Sequence, residues 1–280
     1  LFDLRRFLSR PASLSEVSVA LQELVSIGVL EDHQGFYLLP GRAGVILENS
    51  NRYHEAARKF KIAKKMARLF SLLPAVRLVA VANVIGANNL RAGSDIDFFI
   101  IAAAGRLWLT RLFCAGLAAI LRVRPLPGDK KDRICLSFYV SEEHLNLQGL
   151  KLDDDVYFDH WVASLVPIFN RQQSYENLVA ANSWLNLRFP NWQPWSVSGR
   201  RRSDRVPLPF FRAARRDWLE RLSKSWQLSI MPKGLKENRS GGTVISDQVL
   251  KLYAVDRRQE FKDKFKERSA PIIAALNDIK

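Results

Sequence analysis

The sequence predicts an α/β (α+β) protein built on a small mixed sheet, and three observations support this. Residues 76–82 and 95–101 are apolar runs with the composition of buried strands, and 134–140 is a third such run. Residues 107–121 have the length and composition of a buried helix. Strand, strand, helix, strand is the order of a small α/β core.

The composition is that of an ordinary globular protein. Of the 280 residues, 48% are hydrophobic, which excludes a disordered chain. The longest apolar stretch, 95–121, is interrupted by Arg106 and Arg111, and a bilayer needs about 20 uninterrupted residues. We therefore expect no membrane partner.

The two cysteines give no sign of a disulfide framework or a zinc site. Cys114 and Cys135 lie in apolar runs with no histidine or second cysteine at ligand spacing. This usage fits a reducing compartment and predicts a cytoplasmic protein.

Residues 1–48 read as one compact unit. Ser13 and Glu16 form a capping box at the start of a helix that Gly28 ends, and a short hairpin follows. Helix followed by hairpin resembles a winged helix. The helix carries acidic residues and no basic one, so a scaffold or protein-docking role is favoured over DNA reading.

A core of residues 52–150 follows. It begins with a basic amphipathic helix over 53–73 that Pro74 stops, and it continues through the predicted strands. After it, residues 151–280 form a predicted basic, helical C-terminal region.

Within that region, helices are predicted up to Pro167, over 173–187 and over 211–228. Trp218, Leu222 and Trp226 share one helical face, which favours packing in the core. The alternative is that the tryptophans stack on the bases of single-stranded nucleic acid.

The net charge of +15 is concentrated in two segments. Residues 52–68 hold seven basic side chains against one acidic, and residues 200–239 hold twelve against four. Together they supply 14 of the 15 net charges. Such clusters favour polyanions, nucleic acid above all, although a solvated helix face also explains many basic runs.

Two acidic residues carry the strongest chemical signal. Asp95 and Asp97 alternate with apolar residues on a predicted strand, so both carboxylates project from the same face. Carboxylates this close repel each other unless a cation lies between them, and hard oxygen ligands suit Mg²⁺. The alternative is a strand end exposed to solvent.

The surrounding run, residues 79–101, resembles the core motif of the DNA polymerase β-like nucleotidyltransferase superfamily. In that family a strand leads into a Gly-Ser turn, and Ser-Asp-x-Asp follows on the next strand. The whole chain looks like an uncharacterised prokaryotic branch with an N-terminal winged-helix-like segment. The resemblance implies a nucleotidyltransferase-type mixed sheet and makes Asp95 and Asp97 the catalytic and Mg²⁺-binding residues. It implies nucleotide binding by the turn residues Asn83, Gly86, Asn88, Asn89 and Ser94.

The chain departs from the family pattern in two places. Asn83 and Val84 stand where the family has Gly-Ser. Many catalytic members place a third acid on a later strand, as a general base, but residues 134–140 contain none. Asp132 before that strand and Glu142 after it are the substitutes to test.

These features predict an Mg²⁺-dependent nucleotidyltransferase that transfers a nucleoside monophosphate from a nucleoside triphosphate to a hydroxyl and releases pyrophosphate. RNA or another anionic molecule is the expected acceptor. The alternative is a catalytically degenerate nucleotidyltransferase-fold module that binds nucleotide or RNA. A winged-helix DNA-binding regulator is a third, less favoured hypothesis.

Overall fold

A mixed six-stranded sheet forms the centre of the structure, a computed structural model. The structure describes residues 1–82, 88–126, 128–195, 217–237 and 242–278. Its sheet has the strand order β6-β3-β4-β5-β8-β7, and a separate hairpin pairs β1 with β2. The predicted α/β (α+β) class is confirmed.

The described strands are β1 Glu31–His33, β2 Phe36–Leu38, β3 Val76–Val81, β4 Ile96–Ala102, β5 Ile134–Ser141, β6 Val166–Asn170, β7 Thr243–Ile245 and β8 Val249–Leu252. The described helices are α1 Phe2–Arg6, α2 Leu14–Ser26, α3 Gly44–Phe70, α4 Leu107–Ile120, α5 Val156–Ala163, α6 Ser174–Ala181, α7 Trp184–Arg188, α8 Asp217–Ile230, α9 Lys233–Lys236 and α10 Arg258–Asp278. Within the described part of the chain, no helix is both long and apolar enough to cross a membrane.

The N-terminal unit contains the predicted helix and hairpin. The Ser13 hydroxyl accepts a hydrogen bond from the Glu16 amide and the Glu16 carboxylate accepts one from the Ser13 amide, so the capping box is present. In the hairpin turn, the Asp32 carboxylate accepts a hydrogen bond from the Gly35 amide at 2.7 Å. The winged-helix assignment itself stays a prediction.

Helix α3 begins earlier than the sequence pattern indicated. The prediction placed its start at residue 53, whereas it starts at Gly44 and ends at Phe70. No proline or glycine follows Gly44 within the helix, so nothing stops it from extending backward. Val45 and Leu47 in its first turns are exposed, so these turns have no buried apolar face. The helical periodicity of apolar residues therefore did not indicate them.

The central strands and the connecting helix lie where the sequence predicted them, within a residue at each end. β4 pairs antiparallel with β3 and parallel with β5, and α4 makes the crossover that a parallel pair requires. α3 and α4 cover one face of the sheet with Phe70 and Trp108, while α5 and α6 cover the other with Trp161 and Leu178.

The helical description of the C-terminal region is incomplete, because three of its segments are strands of the same sheet. β6 pairs with β3, and the β7–β8 hairpin pairs with β5. The predicted helix up to Pro167 ends earlier, at Ala163, and Pro167 lies in β6. An edge strand tolerates proline because one of its sides needs no amide donor.

The predicted core packing of the α8 tryptophan face is wrong. Trp218, Leu222 and Trp226 are each about half exposed. The opposite, polar face lies against α4, where the Glu220 carboxylate accepts hydrogen bonds from two amides of the first turn of α4, at 2.7 and 2.9 Å. An acidic side chain at a helix N-terminus satisfies free amides and the helix dipole, which favours this orientation of α8.

Phe99 tests the importance of the sheet core. The side chain is fully buried and contacts Phe138 and Trp161 edge-on. We expect Phe99→Ala to lower the free energy of unfolding by about 3–5 kcal/mol, because it leaves a cavity between packed rings. Urea unfolding followed by circular dichroism measures the change.

The control is Phe36→Ala in the hairpin, where the ring is 46% exposed. It should change stability by no more than about 0.5 kcal/mol. Equal losses in the two variants would contradict the assignment of Phe99 to the core.

Candidate metal centre

Asp95 lies directly before β4, where the turn from β3 ends, and Asp97 is the second residue of β4. Because they are two residues apart in extended backbone, their side chains leave the same face of the sheet, and both are half-buried. In the parallel register, Asp97 lies beside Cys135 of β5.

These three side chains form a group that can hold a metal ion. One ligand atom from each of Asp95, Asp97 and Cys135 lies within 4.8 Å of the other two. The carboxylates are hard oxygen ligands that suit Mg²⁺ or Mn²⁺, whereas a cysteine sulfur suits softer ions such as Zn²⁺. The donor set fits a divalent ion and leaves its identity open.

The strand β5 contains no carboxylate, and Cys135 is its residue beside Asp97. Glu142 follows the opposite end of β5, where its carboxylate accepts a hydrogen bond from Arg77 at 2.8 Å. Asp132 is bound by both terminal nitrogens of Arg58, at 2.9 and 2.6 Å. Those hydrogen bonds and the adjacent positive charge lower the pKa of Asp132. Neither substitute joins the cluster.

A buried lysine holds the turn that leads into Asp95. The ammonium of Lys59, on α3, is fully buried and donates hydrogen bonds to the carbonyls of Ala92, at 2.9 Å, and Ser94. It also lies 3.4 Å from Asp132. Burial lowers the pKa of Lys59, and the nearby negative charge of Asp132 opposes that shift.

The backbone ties the same turn to the segment before β5. The Ile96 amide donates to the Arg133 carbonyl at 2.8 Å, and the Asp132 amide donates to the Ser94 carbonyl at 3.3 Å. The carbonyl of Ser94, the residue before Asp95, therefore accepts hydrogen bonds from Lys59 of α3 and from the segment before β5. Both contacts help to set the position of Asp95.

The predicted nucleotide-binding residues fall into two groups. Asn83 and Gly86 lie outside the described residues. Asn88 has a left-handed backbone, with φ of 53°, and the Asn89 side-chain oxygen accepts a hydrogen bond from Arg52 at 3.0 Å. Ser94 adjoins Asp95 and is held through its carbonyl. The basic helix α3 thus faces this turn at two points, at Asn89 and at Ser94.

Two polar residues next to the cluster, Ser137 and Tyr253, were not predicted from the sequence. The Cys135 sulfur lies 3.2 Å from the Ser137 hydroxyl, and the side chain of Tyr253, just after β8, hydrogen-bonds to Ser137. Burial raises the pKa of both Cys135 and Tyr253, and the charge on Asp97 adds to each shift. The sequence spacing argued against a zinc site at Cys135, and no sequence signal indicated Tyr253.

Comparison with known proteins gives no relative for this site. No protein-family model, no curated protein and no solved structure matches the chain. The chemistry of the cluster is therefore inferred from its own residues.

Lys59 provides the first test of the site. We expect Lys59→Met to lower the free energy of unfolding by about 1–3 kcal/mol, because the carbonyls of Ala92 and Ser94 lose the charged donor that ties them to α3. Lys61→Met is the matched control, since Lys61 is exposed on the same helix and should change stability by no more than about 0.5 kcal/mol. Urea unfolding of both variants measures the difference in stability, and equal stabilities would contradict the role of Lys59 in holding the turn.

Metal binding provides the second test. We expect the wild-type chain to bind Mn²⁺ in a titration followed by electron paramagnetic resonance, and Asp97→Asn to weaken binding about tenfold or more, or about 1.4 kcal/mol. Asp263→Asn, on the exposed side of α10, should leave the affinity unchanged. Equal affinities in the two variants would exclude Asp97 as a ligand.

Proposed function

We propose that the protein is a nucleotidyltransferase that depends on a divalent metal ion, with Mg²⁺ as the physiological ion. One observation carries the proposal: Asp95 and Asp97 leave one face of a central strand, directly after a braced turn, with ligand atoms within 4.8 Å. The reaction is transfer of a nucleoside monophosphate from a nucleoside triphosphate to a hydroxyl, with release of pyrophosphate.

The arrangement of elements supports the same proposal. The resemblance to the DNA polymerase β-like nucleotidyltransferase superfamily rests on a strand, a turn and Ser-Asp-x-Asp at the start of the next strand. In the structure, β3, the turn and β4 follow in that order, and α4 and β5 complete the core. The acids lie at the strand end where this turn arrives.

Each part of the site has a distinct task in this reaction. Asp95 and Asp97 would hold the ion, and the ion would supply positive charge to offset the negative charge of the triphosphate and of pyrophosphate. The turn before Asp95 lies against α3, whose Arg52 adds positive charge beside Asn89. Lys61, Lys65 and Arg68 of α3 are exposed, and such a basic face suits RNA or another anionic acceptor.

A second candidate function follows from Cys135. A general base must take a proton from the acceptor hydroxyl, and a carboxylate suits that task better than a thiol. With Cys135 beside Asp97, and with Asp132 bound by Arg58, the cluster has no third acid among the described residues. This favours a degenerate nucleotidyltransferase-fold module that binds nucleotide or RNA without turnover.

The cysteines also bear on location. Cys114 and Cys135 are both free thiols, which suits the reducing cytoplasm that we propose for this protein.

A transfer assay tests the function. The chain is incubated with labelled nucleoside triphosphates, Mg²⁺ or Mn²⁺ and total RNA. We expect label to enter the RNA with the wild-type chain and not with Asp95→Ala/Asp97→Ala, because the double variant lacks the ligands that hold the ion. Label transfer that survives the double substitution would refute the role of the two acids.

Cys135→Asp separates the two candidate functions in the same assay. If the site is a degenerate module, the wild-type chain binds RNA in a salt-sensitive way without transferring label. A carboxylate at position 135 should then restore transfer, because it supplies the missing acid. Cys114→Ser is the control, since that thiol belongs to α4, is fully buried in the core and lies outside the cluster.

A further inference from the structure

A cavity of about 170 Å³ lies beside the candidate metal centre, between α5, β8 and the start of α10. Aromatic side chains dominate its wall, namely Phe138, Tyr157, Phe158, Trp161, Tyr253 and Phe261. An engineered apolar cavity of about 150 Å³ is large enough to bind benzene. This cavity therefore has room for one planar ring system.

Two pairs of the rings that line the cavity are stacked on each other. Tyr157 and Phe261 are stacked, with centroids 4.9 Å apart and planes 14° from parallel. Phe138 and Trp161 are stacked at 5.0 Å and 21°. Phe261, on α10, is 47% exposed, so it lies at the mouth. An aromatic wall with an open mouth suits a flat aromatic ligand.

Tyr253 connects this cavity to the metal centre. Its ring meets Phe138 edge-on at 6.4 Å and lines the cavity, whereas its side chain hydrogen-bonds to Ser137, which lies 3.2 Å from the Cys135 sulfur. Asp97 and Phe99 alternate on β4, so the acid shares the sheet face on which Phe99 contacts Phe138. A ligand in the cavity thus lies on the same side of the sheet as the acids.

The cavity also contains a buried cation. Lys251 is 3% exposed, and its ammonium lies 5.9 Å from the centroid of Phe158. Burial lowers the pKa of Lys251 to about 8. The carboxylate of Asp256, on the same wall, is bound by Arg258 at 2.7 Å. Lys251 therefore places a positively charged, hydrogen-bond-donating side chain in the cavity wall.

We infer that the cavity binds the base of a nucleotide whose phosphates extend to Asp95 and Asp97. The inference rests on the proposed function, because it takes the ligand at the acids to be a nucleoside triphosphate. The size selects a single ring system, the aromatic wall stacks on it, and Lys251 recognises acceptor atoms on its edge. The base-binding residues come from β5, α5, β8 and α10 rather than from the turn before Asp95.

Binding of nucleosides without metal tests the pocket separately from catalysis. The full chain is titrated with adenosine by calorimetry in the presence of a chelator, with ribose 5-phosphate and phenylalanine as comparison ligands. We expect adenosine to bind and the other two to bind at least tenfold more weakly. Preferential binding of ribose 5-phosphate or of phenylalanine would overturn the inference.

Two phenylalanines of α10 provide a matched pair. Phe261→Ala should weaken adenosine binding about tenfold, within the range for loss of one stacking ring. Phe265→Ala, one turn further along, is equally exposed at 51% and does not line the cavity, so it should bind like the wild type. If both variants fold, equal affinities of the two for adenosine would overturn the inference.

The outcomes separate this inference from the proposed function. Asp95→Ala/Asp97→Ala should bind adenosine normally, because the base does not need the metal. Adenosine binding that depends on Phe261, with no label transfer by the wild-type chain, supports the pocket and counts against the transferase. Label transfer without a difference between the Phe261 and Phe265 variants in adenosine binding counts against the pocket alone.

Discussion

The hydrogen-bonded position of β4 between β3 and β5 is the constraint on which the rest of the structure depends. β4 pairs along both of its edges, so its register decides where each of its side chains points. The antiparallel partner brings the turn to Asp95, and the parallel partner places Cys135 beside Asp97. Because an inner strand has little freedom to move, Asp97 keeps its geometry, while Asp95 depends also on the turn that Lys59 holds.

The positive charge of the chain has two separate roles that composition alone does not distinguish. Lys59 is buried and holds backbone carbonyls, and Arg58 neutralises Asp132, so both act in the fold. Lys61 and Lys65 on the same helix are exposed and contribute to a surface potential. Helix α3 therefore holds the turn before Asp95 with one set of basic side chains and exposes positive charge with another.

Helix α8 shows how a polar contact can override an apolar pattern. Its tryptophan face is the more hydrophobic one, yet Glu220 and Gln227 lie against α4, where Glu220 satisfies amides at the helix start and the Gln227 amide donates to the Trp108 carbonyl at 2.8 Å. Leaving buried amides without acceptors costs more than exposing part of an indole ring. In β6, too, the structure differs from the sequence pattern. Pro167 was predicted to end a helix, but it lies in an edge strand, where one side needs no amide donor.

From the sequence alone, the α/β class, the three central strands, the α4 crossover and the pair Asp95 and Asp97 were predictable, because alternation and helical spacing are local properties of the chain. The tertiary structure alone decided which third side chain joins the acids, because the Asp97–Cys135 register and the capture of Asp132 by Arg58 join distant segments. It also decided that β6, β7 and β8 complete the sheet, and that Tyr253 links the acids to an aromatic cavity. Pairing between strands depends on partners far apart in the chain, so no local pattern contains it.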